Sequence, residues 1–340
     1  MLVFTGQHPQ LEAAGHGLGR YPLVQLKCPG QDDPNAHVGM VSKAVFQVLA
    51  RAAPDLVVVQ GDTSSALGGT LAAKLAGTPV AHVEAGLRSH DRRSPWPEEE
   101  FRIAIDGDSG LLFAPTELSA ANLRRERVSG RIHVTGNSGI DAVLAIRESV
   151  GPCPAGKQPR LLVTCHRREN WAAGISGVAA ALKAIAAEEI ARIEILLHPN
   201  PVLSRRVREL LLGQCGIAFR QPCSHAETIE AMLRSDLVLS DSGGMQEEAA
   251  ALGVPLLVLR EKTERPEAIA CGNLELVGTD PDRIVRAVRR RLSTTRQAAP
   301  ALPFGDGRAS DRIAAIVCDW LAEREGIDRS ARTAQSLRSA

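Results

Sequence analysis

One repeating pattern constrains this chain more than any other: a short β-branched apolar run, then a small or charged residue, then an Ala/Leu-rich stretch of helical pattern. Residues 56–60 (LVVVQ) are the clearest run, of the kind shown by a strand buried on both faces. Gly61-Asp62-Thr63 follows, and residues 64–76 carry the helical pattern. Residues 79–83, 111–114 and 132–134 repeat the motif, each followed by a Gly- or Pro-containing turn and a helix-like segment. Strands alternating with helices build βαβ units on a parallel sheet.

Residues 151–160 (GPCPAGKQPR) shift to Pro, Gly and charge and read as a linker. The alternation then restarts, with buried strands expected at 161–164, 193–197, 237–240 and 255–259, and helices at 177–189, 204–212 and 227–234. A chain of 340 residues exceeds what one hydrophobic core organises. The reading is α/β: two Rossmann-like doubly wound domains, residues 1–150 and 151–325, then a tail over 326–340 polar enough for disorder. Tandem domains of this kind set the C-terminal ends of both groups of strands toward a shared interdomain cleft, where ligands bind. The chain opens at MLVFTGQHPQL, already inside a strand and turn, so a first strand-helix unit of the N-terminal domain is expected to be missing.

Forty Lys and Arg against 39 Asp and Glu leave a formal charge of +1, which gives no reason to expect nucleic acid or an anionic membrane as partner. The seven cysteines are scattered without a C-x-x-C pair, so neither a disulfide framework nor a zinc site is indicated, and a reduced cytoplasmic setting fits. No apolar run approaches the roughly 20 residues that span a bilayer.

Acidic residues cluster where a ligand crevice belongs. Asp62 and Glu84 stand directly behind apolar strands and should face one cleft, although Gly-Asp-Thr also suits a helix N-cap. Pro95-Trp96-Pro97 leads into Glu98, Glu99 and Glu100, of which one is a catalytic candidate and two suit the positive end of a helix dipole. In the second half, His166 and Arg167 follow a strand and offer a proton donor and a guanidinium fork for phosphate, with a solvated charged loop as the lesser alternative. His198-Pro199-Asn200-Pro201 is either a ligand contact or a stiffened turn. Ser242-Gly243-Gly244 ends a strand and opens a helix whose first N–H groups suit a diphosphate, and Glu247 or Glu248 one turn later could accept ribose hydroxyls. Arg265 lies just past the next strand, as a phosphate contact or a loop ion pair.

QGDT (60 to 63), HVEAGLRS (82 to 89), SPWPEE (94 to 99), TGN (135 to 137), HRREN (166 to 170), HPNP (198 to 201), DSGGMQEEA (241 to 249) and TERPEA (263 to 268) together resemble the non-hydrolysing UDP-N-acetylglucosamine 2-epimerases, of glycosyltransferase-B-like fold. The resemblance implies interconversion of UDP-N-acetylglucosamine and UDP-N-acetylmannosamine without metal or organic cofactor, by a homodimer serving polysaccharide precursor synthesis. It assigns acid/base work to Asp62, Glu84 and Glu98, help to the departing diphosphate to His166, phosphate contacts to Ser242, Gly243 and Gly244, the ribose to Glu248, and the nucleotide side to Arg265. Arg167 and His198 join as substrate contacts. The chain lacks the Gly-Thr-Arg-Pro-Glu loop with which such proteins usually begin, carries Phe101 where Asn is common, and has Thr228 where an aromatic often stacks near uracil. A non-catalytic UDP-sugar-binding homologue and a glycosyltransferase of the same architecture are the competing readings.

Overall fold

The computed structural model describes residues 1–7, 18–93, 95–151, 158–165, 174–294 and 299–338. Its contacts divide the chain into two units, Met1–Asn137 with Arg308–Ala340, and Ser138–Gly307.

The first unit runs β1 (Leu2–Phe4), β2 (Leu23–Gln25), α1 (Pro34–Ala52), β3 (Val57–Gln60), α2 (Ser64–Leu75), β4 (Val80–Val83), α3 (Glu98–Asp108), β5 (Leu111–Ala114), α4 (Glu117–Glu126) and β6 (Arg131–Val134). Strands β3 to β6 form a four-stranded parallel sheet in chain order, while β1 and β2 pair with each other; no ladder joins the two sheets among the described residues. β5 is apolar on both sides and β4 is apolar except for His82, and both strands are fully buried. One face of the sheet is closed by α1, α2 and α3, where Val41, Val45 and Ala72 pack with Val59, Val80 and Ile105. Gly68 lets α1 and α2 meet: a Cβ there would lie 2.7 Å from the Cβ of Val41. Phe101 is buried in this same core, which accounts for an apolar residue at that position.

The second unit runs α5 (Ser138–Ser149), β7 (Arg160–Thr164), α6 (Gly174–Ala187), β8 (Arg192–Leu196), α7 (Pro201–Leu211), β9 (Ile217–Arg220), α8 (His225–Leu233), β10 (Leu237–Ser240), α9 (Gly243–Leu252), β11 (Leu256–Val258), α10 (Pro266–Ala270), β12 (Leu274–Leu276) and α11 (Pro281–Ser293). Its six-stranded parallel sheet has the order β12-β11-β10-β7-β8-β9. The chain enters at the centre, builds outward through β8 and β9, then crosses over to β10 and builds the other way. The order therefore reverses between β7 and β10, where ligand crevices open beyond the strand ends. Separate apolar cores cover the two faces of the sheet.

The last helix, α12 (Ala309–Arg338), belongs to the first unit, where Ile313, Ile316, Val317 and Trp320 cover Val83, Leu111 and Phe113. Both expected domain boundaries therefore move. Helix α5 gives Ile140 and Val143 to the core around Leu162 and Val238, so the second unit starts at Ser138 rather than 151, and it ends at Gly307 rather than 325. Packing of apolar helix faces set these limits, not the Pro/Gly content of the connection. The tail expected to be disordered is helical through Arg338, its Ala, Arg, Gln and Leu being good helix formers. Edge strands β9 and β12 were not foreseen, because IAFR and LEL are only partly buried and lack the continuous apolar signature of central strands. Among the described residues no helix is long and apolar enough to cross a membrane.

Candidate active site

In the first unit the carboxylates gather at the C-terminal ends of β3 and β4. Gly61 leaves β3 with φ +70, and its N–H donates to the Val83 carbonyl at 3.1 Å. Thr63, not Asp62, caps α2, its hydroxyl accepting from Ala66 N at 3.2 Å. Asp62 is thereby left for another partner, and that partner is Arg102 of α3, which donates from Nε at 3.1 Å and also from Nη2. Glu84 follows β4 with φ 73, in the left-handed region that costs a side-chain-bearing residue about 1–2 kcal/mol. Its N–H and that of Ala85 both donate to the Phe113 carbonyl, at 3.1 and 3.0 Å. This turn sends the Glu84 carboxylate over the neighbouring loop: its Oε2 lies 3.5 Å from where a Cβ on Gly61 would stand. Glu84 is thus set beside the Gly61 turn that leads into Asp62.

The three glutamates opening α3 separate into distinct roles. Glu98 is half-buried on the first turn, Glu100 is exposed, and Glu99 is buried. Glu99 is more than a partner for the helix dipole. Its Oε1 accepts from the N–H groups of Ser89 and His90 at 3.0 Å, and its Oε2 accepts from Arg102 Nη1 at 3.0 Å. Arg102 therefore bridges Glu99 and Asp62, fixing the Asp62 turn to the helix that carries Glu98.

Beneath these loops lies a buried polar cluster that sequence reasoning missed. Asp106 sits 2.7 Å from His82 Nδ1 and 2.8 Å from Arg88 Nη2, and it accepts from Gly86 N at 3.2 Å. Arg88 also donates to Glu126, from Nε at 2.7 Å and Nη2 at 2.5 Å. Burial opposes its charge, but Glu126 and Asp106 outweigh that and raise its pKa. The available signal was a histidine interrupting the buried strand VAHV and an aspartate in the helix opposite.

In the second unit, paired β7 and β10 end side by side, Thr164 Oγ1 lying 2.7 Å from Ser240 Oγ. Ser242 is the N-cap of α9 but makes no side-chain cap hydrogen bond, and Gly243 and Gly244 open the helix. A turn of this kind presents N–H groups and a positive dipole end to an anion. Arg265 packs against it: a Cβ on Gly243 would lie 2.7 Å from Arg265 Nη1. The guanidinium is held by two buried carboxylates, Nε to Glu247 at 2.5 Å and Nη1 to Glu264 at 2.5 Å, with Arg260 on the far side of Glu264 at 2.9 Å. The ion pair that was one of the two readings of Arg265 is present, and it is buried. Glu248, one turn into α9, faces His225 Nε2 at 2.9 Å; this hydrogen bond raises the His225 pKa against the opposing effect of burial.

His198 does stiffen its turn, its Nδ1 accepting from Asn200 N at 2.9 Å while Asn200 caps α7. In the neutral ring that leaves the proton on Nε2. Burial pushes the Cys165 thiol well above its usual range, helped by the Asp241 charge, which disfavours the thiolate. His166 and Arg167 lie outside the described residues.

This pattern of strand-end carboxylates and a phosphate-type turn coincides with a sequence match: the family model described as UDP-N-acetylglucosamine 2-epimerase covers residues 1–318. The chain belongs to that epimerase family. The probable UDP-N-acetylglucosamine 2-epimerase of Ralstonia nicotianae is 40% identical over 322 residues, 89% of this chain and 85% of that protein. The UDP-N-acetylglucosamine 2-epimerase of Escherichia coli is 40% identical over 285 residues, 78% of this chain and 76% of that one. Among solved structures, the Neisseria meningitidis UDP-GlcNAc 2-epimerase bound to UDP-GlcNAc matches with a TM-score of 0.81 at 29% identity, covering 94% of this chain and 99% of that one. The Methanocaldococcus jannaschii epimerase in complex with UDP-GlcNAc and UDP gives 0.82 at 32% identity, with coverage of 93% and 91%. The glycosyltransferase-B-like fold class read from the sequence holds for this epimerase family member.

Proposed function

We propose that this chain interconverts UDP-N-acetylglucosamine and UDP-N-acetylmannosamine. One carboxylate of the first unit removes the C2 proton, and the electrons of that C–H bond form a C1–C2 double bond as UDP leaves C1, giving 2-acetamidoglucal. UDP then adds back at C1 while a proton reaches C2 from the opposite face. Such a reaction requires acid/base groups on both faces of one ring, and Asp62, Glu84 and Glu98 supply them. Two carboxylates with different surroundings can be driven to different proton affinities, so that one gives while another takes. The observation that carries the reading is Glu84 leaning over the Asp62 turn, with Asp62 held by Arg102.

On the nucleotide side, the N–H groups at Ser242, Gly243 and Gly244 would hold the diphosphate, Glu248 the ribose hydroxyls and Arg265 the phosphate flank. His166 would protonate or hydrogen-bond the leaving diphosphate, with Arg167 and His198 as further contacts. The protein would act as a cytoplasmic homodimer feeding polysaccharide precursor synthesis, and no metal or organic cofactor is assigned.

Turnover in D2O is the test: deuterium should appear at C2 together with the manno isomer. A glycosyltransferase would leave C2 unexchanged, and a binding-only homologue would take up UDP in calorimetry without any exchange.

A further inference from the structure

We propose that His82 is a positioning residue that clasps the two carboxylate-bearing turns of the first unit together; this rests on the epimerase reading. His82 is wholly buried on β4, two residues before Glu84. Among the described residues its two ring nitrogens face oxygen atoms: Nδ1 is 2.7 Å from Asp106 Oδ1 and Nε2 is 2.9 Å from the Gly61 carbonyl. A carbonyl oxygen only accepts, so Nε2 carries a proton. Asp106 is held in turn by Arg88 and by Gly86 N through Oδ2, so the ring joins the Gly61 turn to a fixed carboxyl group.

Asp106 reaches the ring from α3 and is itself held by Arg88 from the turn after β4, whose guanidinium also grips the exposed Glu126 of α4; Arg102 stands beyond the Gly61 turn on Asp62 and Glu99.

Gly61 is thereby fastened to β4 through both its amide, on Val83, and its carbonyl, on His82. Asp62 is the next residue. The ring thus sets the position of Asp62 relative to Glu84, which grows from the same strand as the histidine.

His82→Gln places an amide donor near the Nε2 position and keeps the Gly61 bond, whereas His82→Asn reaches only Asp106. Deuterium-exchange kcat should fall about 100-fold in H82N and at most about 10-fold in H82Q, with UDP affinity by calorimetry unchanged in both. Equal kcat in H82N and wild type overturns the proposal. Wild-type protein that binds UDP but exchanges no deuterium instead overturns the epimerase reading, and with it the positioning role, leaving the buried clasp as structure.

Discussion

Arg102 donates to the Asp62 carboxylate through two nitrogens of one guanidinium while its third grips Glu99. A planar fork of this kind fixes direction as well as distance, so Asp62 is presented from β3 in an orientation dictated by α3. A lysine would supply the charge without the geometry.

Arg102→Lys should therefore lower kcat for C2 exchange by about 10- to 100-fold, the range expected when a reacting group is misplaced by about 1 Å. KM should change little, since the nucleotide contacts proposed lie in the other unit. Initial rates over a range of UDP-sugar concentrations decide this, and an unaltered kcat would contradict the assignment.

Glu84 gives a separation of stability from activity. Its φ of 73 suits glycine, and its side chain is retained there at a conformational cost. Both Glu84→Ala and Glu84→Gly should abolish exchange. The glycine variant should nevertheless be the more stable of the two by about 0.5–1 kcal/mol, because relief of left-handed strain outweighs the added freedom of the unfolded chain. Urea unfolding of the two variants measures the difference, and an alanine variant at least as stable would show that the turn is unstrained.

Gly243→Ala tests the phosphate turn. The new methyl would meet Arg265 Nη1 at 2.7 Å and Glu264 Oε1 at 3.0 Å, and that ion pair is buried on every side. Displacing it should weaken UDP binding about tenfold, roughly 1.4 kcal/mol. Gly244→Ala, whose Cβ meets only Glu248 Oε1 at 3.9 Å, should lose less in the same calorimetric titration.

The His225–Glu248 pair supplies a pH dependence with a defined sign. Its hydrogen bond to Glu248 raises the folded-state pKa of His225 above 6.5. The folded protein therefore holds this proton more tightly than the unfolded chain, so the stabilisation is fully present below pH 6.5 and is lost as pH rises through the raised value. His225→Gln should melt lower than wild type at about pH 6 and approach it by about pH 9. A difference that instead grows with pH would reverse the assignment.

The central strands were legible because parallel strands covered on both faces are apolar on both faces: residues 111–114 and 237–240 were placed to the residue. Edge strands β9 and β12 were not, since one side of each lies open and their pattern is diluted by Arg220 and Glu275. Asp62 and Glu84 were readable from their position behind strands. Arg102 was not, because a helical arginine has no local signature, and a histidine inside the apolar strand VAHV marks a buried polar contact without naming Asp106 as its partner. Their partners lie 40 and 24 residues away, and only the folded chain brings them together.

Helix α12 has a bearing on how the protein is born. The second unit is spelled by one unbroken stretch, Ser138–Gly307, whereas the sheet face bearing Phe113 is sheltered only when Ile313, Ile316 and Trp320 arrive. On the ribosome the later-encoded unit can close first, and the earlier one matures last, so the sequence of maturation runs opposite to the direction of translation.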